Sequence, residues 1–361
     1  MKILLALDSF KGCLTSEEVE DTFAHALAAQ GMETRSFPLS DGGEGMLEAF
    51  VAALHGHIVS TSVHDPLMRS IEALYGITPD GTAIIETARA CGLTLLSAEE
   101  RNPLIATSYG VGELIADALH RGCRRFIIGL GGSGTSDAGR GMLRALVNAF
   151  AQGRTMEEVI TRNTADCRFT LACDVRNPLY GRNGAAHVFA PQKGATPDMV
   201  EELDRRARHF AEESARRLGW DMSSRPGAGA AGGLGYAFMQ YFQTDSRSGA
   251  DLLLDLIGFN EALQGVDLVI TGEGHADRQT LMGKLPERVL QRALAHGVPV
   301  RLVAGRMDDK DILTAAGFAG VDAITPDGMD TEEAVKPEVA RQNIREWVRR
   351  ELEPTHLSSQ R

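Results

Sequence analysis

The sequence predicts an open α/β domain assembled from both ends of the chain, with a second, mixed α/β domain inserted in its middle. Three observations lead to this. Strand-like and helix-like stretches alternate through the first 55 residues; from about His57 the pattern becomes short strands separated by turns; after about Val266 the alternation of strand and helix returns. The expected division is 1–55 with 265–361 for the first domain and 56–264 for the insert, and two chain crossings would frame a cleft. A length of 361 residues accommodates about two domains, and 43% hydrophobic residues fill ordinary cores.

The apolar run over 2–7 has strand length and leads into Asp8-Ser-Phe-Lys-Gly12. A carboxylate and an ammonium are thereby set at the carboxyl end of the first strand, where open α/β sheets bind ligands. Thr15-Ser-Glu-Glu18 reads as a capping box opening a helix over 15–30, which Gly31 stops. A strand over 34–39 follows, then the turn Ser40-Asp-Gly-Gly-Glu-Gly45 and a helix over 44–54. Strands over 58–63, 70–77 and 82–86, separated by Asp65-Pro66 and Pro79-Asp-Gly81, form a meander. The insert continues with a helix over 107–120, a strand over 125–130, a Gly/Ser/Thr loop and a helix over 141–150. A strand over 169–174, a long charged helix over 198–218 and a glycine-rich stretch over 227–235 complete it. The closing part brings strands over 267–271, 298–304 and 323–325 and a helix over 285–296, with Thr271-Gly-Glu-Gly-His-Ala-Asp277 as a third acid-and-glycine turn behind a strand. Two opening and three closing strands make a five-stranded sheet.

Composition narrows the class. A net charge of -12 and a pI near 5.4 argue against a general nucleic-acid footprint, and arginine runs such as 205–208 read as solvated helix faces. No apolar stretch reaches the roughly 20 residues of a membrane span. Charge arrives at Asp8 and Lys11, unlike a signal peptide, so the expected location is the cytoplasm. Cys13, Cys91, Cys123, Cys167 and Cys173 are odd in number and lack C-x-x-C spacing, which supports neither a disulfide framework nor a zinc site. The 39 glycines gather beside Asp, Glu, Ser and Thr, as in loops that bring backbone close to a ligand.

In the loop 131–137, Gly131, Gly132, Ser133 and Thr135 offer amides and hydroxyls at the entrance to a helix, chemistry that suits phosphate oxygens. The same residues also fit a tight turn with an N-cap. The loop is neither a Walker sequence nor a dinucleotide fingerprint. Gly229, Gly232 and Gly233 fit either an anion-binding loop or close packing through small residues. Pro191-Gln-Lys-Gly194 sets Lys193 on a turn, where it would hold a phosphate or carboxylate or stand as a surface lysine. Asp8, Asp41, Glu44, Asp137, Asp174, Glu273 and Asp277 lie on turns and strand ends. Mg²⁺ beside substrate phosphates needs one or two carboxylates, and phosphoryl transfer uses another to accept the hydroxyl proton, so some of the seven must be caps. Ser133 lacks the G-x-S-x-G elbow of a serine hydrolase.

Taken together, these stretches resemble the bacterial type I glycerate kinase family from Met1 to about Thr325. The resemblance is carried by Asp8-Ser-Phe-Lys-Gly12, Pro38-Leu-Ser-Asp-Gly-Gly-Glu-Gly45, Ala106-Thr-Ser-Tyr-Gly110, Cys173-Asp-Val-Arg-Asn-Pro178, Pro191-Gln-Lys-Gly-Ala195, the stretch 227–235, and Thr271-Gly-Glu-Gly274 with Asp277-x-Gln-Thr280. It implies a flavodoxin-like domain carrying an inserted α/β domain, and ATP-dependent phosphorylation of D-glycerate on the 2-hydroxyl, with Mg²⁺ bridging the nucleotide phosphates. No nucleic-acid or membrane partner is implied, and a homodimer is a possible assembly.

Within that frame, the physical assignments are Asp8, Lys11, Asp41 and Glu44 for catalysis and Ser9, Gly42, Gly43 and Lys193 for substrate binding. Gly131, Gly132, Ser133, Thr135, Gly229, Gly232 and Gly233 are assigned to the ATP phosphates, and Asp174, Glu273 and Asp277 to the metal. The chain departs from the family pattern at Cys13, where serine is usual, and at Gly134, Ser136, Ala138 and Arg140, where Ala, Asn, Gly and a small residue are common. Formation of 3-phosphoglycerate, phosphorylation of a related hydroxy acid, and a non-catalytic sensor are the alternatives.

Overall fold

Ile3, Leu4, Leu5, Ala6 and Leu7 are each at most 1% exposed, so the opening run is covered on both faces, as an inner strand of a parallel sheet must be. The computed structural model of the chain describes residues 1–10, 12–37, 39, 45–150 and 155–352. Its strands are β1 (Lys2–Leu7), β2 (Glu33–Ser36), β3 (His57–His64), β4 (Ser70–Ile77), β5 (Thr82–Glu86), β6 (Arg125–Gly129), β7 (Arg168–Ala172), β8 (Thr244–Arg247), β9 (Leu268–Ala276), β10 (Val300–Met307) and β11 (Gly320–Ala323). They form two sheets in two compact units, Met1–Asp41 with Ala250–Arg361, and Gly42–Gly249.

The first unit holds the sheet β11-β10-β9-β1-β2, parallel throughout. Counted in chain order within the unit this is 2-1-3-4-5, the flavodoxin-like order that the resemblance implies. Ile3, Leu5 and Leu7 share one core with Phe23 of the helix Ser16–Ala28 and Trp347 of the helix Pro337–Glu351. The Phe23 and Trp347 rings meet edge to face at 5.8 Å. Thr15 and Glu18 form the expected capping box: the Thr15 hydroxyl accepts from Glu18 N at 3.2 Å, and Thr15 N donates to Glu18 Oε2 at 2.9 Å. The helix Pro337–Glu351 lies beyond the elements read from the sequence.

The second unit holds the sheet β3-β4-β5-β6-β7-β8, antiparallel across its first two junctions and parallel across the rest. The expected meander is β3, β4 and β5. Phe126 of β6 and Phe169 of β7 stack at 4.6 Å in its core, against Phe238 and Phe242. β8, with the polar sequence Thr-Asp-Ser-Arg at the sheet edge, and the helix Met156–Thr164 were not among the expected elements.

The contact boundaries fall at 41/42 and 249/250, where sequence rhythm set them at 55/56 and 264/265. The helix Met46–Ala53 packs on the second sheet: Gly76 of β4 leaves the space that Val51 and Leu47 fill, and Glu48 pairs with Arg89 at 2.6 Å. The helix Gly249–Leu256 is tied into the first unit by Arg292, which reaches Asp251 at 3.0 Å and Asp255 at 2.5 Å. A further difference concerns 271–277, expected as a turn. β9 runs on to Ala276 because β10 continues beside it to Met307, and Gly272 is required there, since a Cβ would meet the Val303 carbonyl oxygen at 2.0 Å.

Trp347→Ala removes the largest side chain of the first core. It is expected to lower stability by about 3–5 kcal/mol, read as a shift of the chemical-denaturation midpoint.

Candidate active site

The order 2-1-3-4-5 puts the topological switch between β1 and β9, and the crevice outside their carboxyl ends is where such sheets bind ligands. Asp8 stands there. Its amide donates to the Gly272 carbonyl at 2.9 Å, and its Oδ1 accepts from Ser9 N at 2.7 Å. Side chains finish the strand ends where pairing stops: Thr271 Oγ1 donates to the Ala6 carbonyl at 2.7 Å, Ser16 Oγ to the Leu7 carbonyl at 2.5 Å, and Glu20 Oε1 accepts from Leu7 N at 2.9 Å. Burial pushes the Glu20 carboxyl well above its usual range. Of the remaining residues expected at this end, Lys11, Asp41, Gly42, Gly43 and Glu44 lie outside the described residues.

Glu273, one residue past Gly272 on β9, accepts from Thr280 Oγ1 at 2.7 Å and from Lys284 Nζ at 2.9 Å. Asp277 caps the short turn Arg278–Leu281 by accepting from Gln279 N at 2.7 Å. Both carboxylates therefore have local structural work, and Asp174 belongs to the other unit, just past the end of β7. Among the described residues no group of three or more His, Cys, Asp or Glu side chains is arranged to hold a metal ion.

In the second unit the loop 131–137 follows β6 and is held from several sides. Ser133 forms a bridge with Gly92: Leu93 N donates to the Gly132 carbonyl at 2.9 Å and Gly134 N to the Cys91 carbonyl at 2.7 Å. Asp137 accepts from Ser108 N at 2.9 Å, Ser108 Oγ at 2.9 Å, and Gly139 N and Gly141 N at 3.0 Å each, with Thr107 Oγ1 at 3.3 Å. Thr107 and Ser108, expected as the first residues of the helix over 107–120 and as part of a family block, stand just before the helix Tyr109–His120, and a hydroxyl pair at a helix entrance is the signal for their role.

Lys193 is only 3% exposed, so the surface-lysine alternative is excluded. Its ammonium donates to Ser133 Oγ at 3.0 Å and to the Thr135 carbonyl at 2.7 Å. Burial away from water lowers its pKa to about 8. Gly229, Gly232 and Gly233 make close packing contacts. A Cβ at Gly232 would meet the Thr135 carbonyl oxygen at 2.0 Å, one at Gly229 the Pro178 oxygen at 2.3 Å, and one at Gly233 the Ala138 Cα at 2.7 Å. These glycines let the start of the helix Ala230–Tyr241 lie directly on the loop 131–137 and on 177–178.

The chain matches the glycerate kinase family over residues 3–352. It is 39% identical to the Bacillus subtilis (strain 168) glycerate kinase, covering 92% of this chain and 93% of that one. It is also 39% identical to the Escherichia coli (strain K12) glycerate 2-kinase, covering 86% of each. A crystal structure named for glycerate kinase 2 of Salmonella typhimurium LT2 superposes with a TM-score of 0.84 at 37% identity, covering 100% of this chain and 99% of that one. The chain belongs to the glycerate kinase family. It is thus grouped with phosphotransferases that act on an alcohol group.

Against the glycerate kinase pattern, three departures cluster. Ser136, Ala138 and Arg140 line one cavity of about 950 Å³ in the second unit, together with Asp137, Tyr109 and Phe210. The Arg140 guanidinium lies 5.7 Å from the Phe210 ring. Ala138 has φ 55°, a left-handed conformation that disfavours a Cβ and that the glycine common in the family adopts freely.

Ala138→Gly is expected to raise stability by about 1 kcal/mol, measured by urea unfolding. Lys193 gives a pH signature. Its pKa falls from 10.5 in the unfolded chain to about 8, so the cost of burying its charge is full below about pH 8 and is relieved as pH rises toward 10.5. Relative to Lys193→Met, the native protein should gain about 1.4 kcal/mol per pH unit across that window, followed by denaturation at stepped pH.

Proposed function

We propose that this chain phosphorylates D-glycerate on its 2-hydroxyl with ATP as donor, giving 2-phosphoglycerate. The observation that carries the reading is the 39% identity, over 86% of each chain, to a relative named glycerate 2-kinase. The setting of Asp8 at the β1/β9 switch supports it, since that is where an open parallel sheet receives a small ligand.

In this reading Lys11 or the amides of Gly42 and Gly43 hold the glycerate carboxylate, with Ser9 beside them, and Asp41 or Glu44 accepts the proton of the attacking hydroxyl. Asp8 orients that hydroxyl. The loop 131–137 receives phosphate oxygens of the nucleotide on its amides and hydroxyls. Transfer of the γ-phosphoryl group then rests on alignment of donor and acceptor and on neutralising charge, with little covalent work for the protein.

Mg²⁺ held mainly by nucleotide phosphates and water needs only one or two protein carboxylates, and it would supply charge neutralisation at the phosphates. Asp174, just past the end of β7, is one carboxylate that could meet that demand. Glu273 shares its charge with Lys284, and Asp277 is engaged as a cap, so a metal would compete with those contacts. A second reading, phosphorylation of a related hydroxy acid, is favoured by the changed residues Ser136 and Arg140 in the 950 Å³ cavity.

The test is an assay of the purified chain with ATP, Mg²⁺ and D-glycerate, followed by phosphorus NMR. A 2-phosphoglycerate signal is expected. A 3-phosphoglycerate signal would overturn the choice of hydroxyl, and absence of product with turnover of another acid would favour the second reading. Asp8→Asn should lower kcat by about 10²-fold while leaving the thermal transition in place.

A further inference from the structure

We infer that Lys193 acts on a bound phosphate from behind: its buried ammonium, with only neutral groups as direct hydrogen-bond partners, puts positive charge beneath the loop 131–137, so an anion seated on the loop's outer face binds more tightly while Lys193 is protonated. This rests on the reading of that loop as a phosphate site. The geometry makes Lys193 an indirect actor. Its Nζ is turned into the protein, where its two hydrogen-bond partners, Ser133 Oγ and the Thr135 carbonyl, are both neutral. The carboxylate that acts on it, Asp137, does so through space and is not one of its hydrogen-bond partners.

A buried ammonium normally has a carboxylate partner, because desolvating a charge is costly without one. Here the groups packed around it do not supply that partner. Asp137 attracts it at longer range and is held away from direct contact by hydrogen bonds from Thr107, Ser108, Gly139 and Gly141. Cys91, on the short helix Ala88–Cys91, has its thiol pushed up to about 12 by burial and stays neutral through the working range.

The other side of the loop is open. Gly132 is exposed and Gly131 half-buried, and the amides of both make no hydrogen bond among the described residues. Two N–H groups on solvent-reaching residues and a desolvated cation beneath the loop have the makings of a layered anion receptor. A phosphate on the amides would add negative charge to that of Asp137 near Lys193, and would therefore raise its proton affinity. By linkage, protonation of Lys193 must raise phosphate affinity by the same factor. The lowered pKa of about 8 sets where this exchange is visible.

The test uses the full chain with metal-free ADP, titrated calorimetrically from about pH 7.5 to 9.5, above the second ionisation of the phosphate. The Kd of the native protein should weaken about tenfold across this range, the equivalent of one pKa unit of coupling. Near pH 8.5, repeating the titration in buffers of different ionisation enthalpy should reveal net proton uptake. Lys193→Met should bind ADP about tenfold more weakly at the low end and show a flat pH response. Identical pH traces for the two proteins, or no proton uptake by the native one, would overturn the inference. If Lys193→Met does not fold, the proton uptake of the native protein decides alone. Gly132→Val separates the two layers of the argument. Loss of ADP binding in Gly132→Val with no effect of Lys193→Met sinks only the role of Lys193; intact binding in Gly132→Val removes the phosphate loop and the inference with it.

Discussion

Parallel sheets pose one problem repeatedly in this protein: at the carboxyl edge, strand pairing stops while backbone N–H and C=O groups remain, and each buried group needs a partner. The first sheet meets this with side chains from neighbouring elements. Thr271 caps the Ala6 carbonyl, Ser16 the Leu7 carbonyl and Glu20 the Leu7 amide. The second sheet uses Thr87 Oγ1, which donates to the Gly129 carbonyl at 2.8 Å, and then the fastenings of the loop 131–137. The same edge that must be fastened is the edge where ligands bind, so structural and functional polar residues crowd together there.

That crowding explains why acids and glycines looked alike in the sequence. Asp8, Asp137, Glu273 and Asp277 all sit on turns or strand ends, yet Asp137 gathers backbone amides, Asp277 caps a turn and Glu273 pairs with Lys284. Asp8 is the one set at the β1/β9 switch. The glycines divide in the same way. Gly131 and Gly132 reach the surface, whereas Gly229, Gly232 and Gly233 make room for carbonyls and Cα atoms of neighbouring segments.

Much of the architecture was legible because local signals and burial agree. The opening strand, its capping box, the meander and the five-stranded sheet follow from apolar runs, caps and turns whose patterns need no distant partner. Legibility failed where a neighbour decides. β8 is four polar residues that become a strand only because β7 offers an edge, and 271–276 extend as strand because β10 runs alongside. The division between units depended on Gly76 and Arg292, single residues whose meaning lies in what they pack against. Burial of Lys193 was equally hidden, since a turn containing lysine ordinarily faces water.

The insertion of one unit within the other has a consequence for how the chain is made. β1 and β2 emerge from the ribosome before the second unit, but β1 gains its other neighbour, β9, only after residue 268. The Gly42–Gly249 unit is contiguous and has its whole core synthesised before β9 begins. Synthesis therefore favours completion of the second unit while the first waits as an unfinished pair of strands with an open, apolar edge. Residues 1–41 are thus made before the second unit yet reach their native surroundings after it.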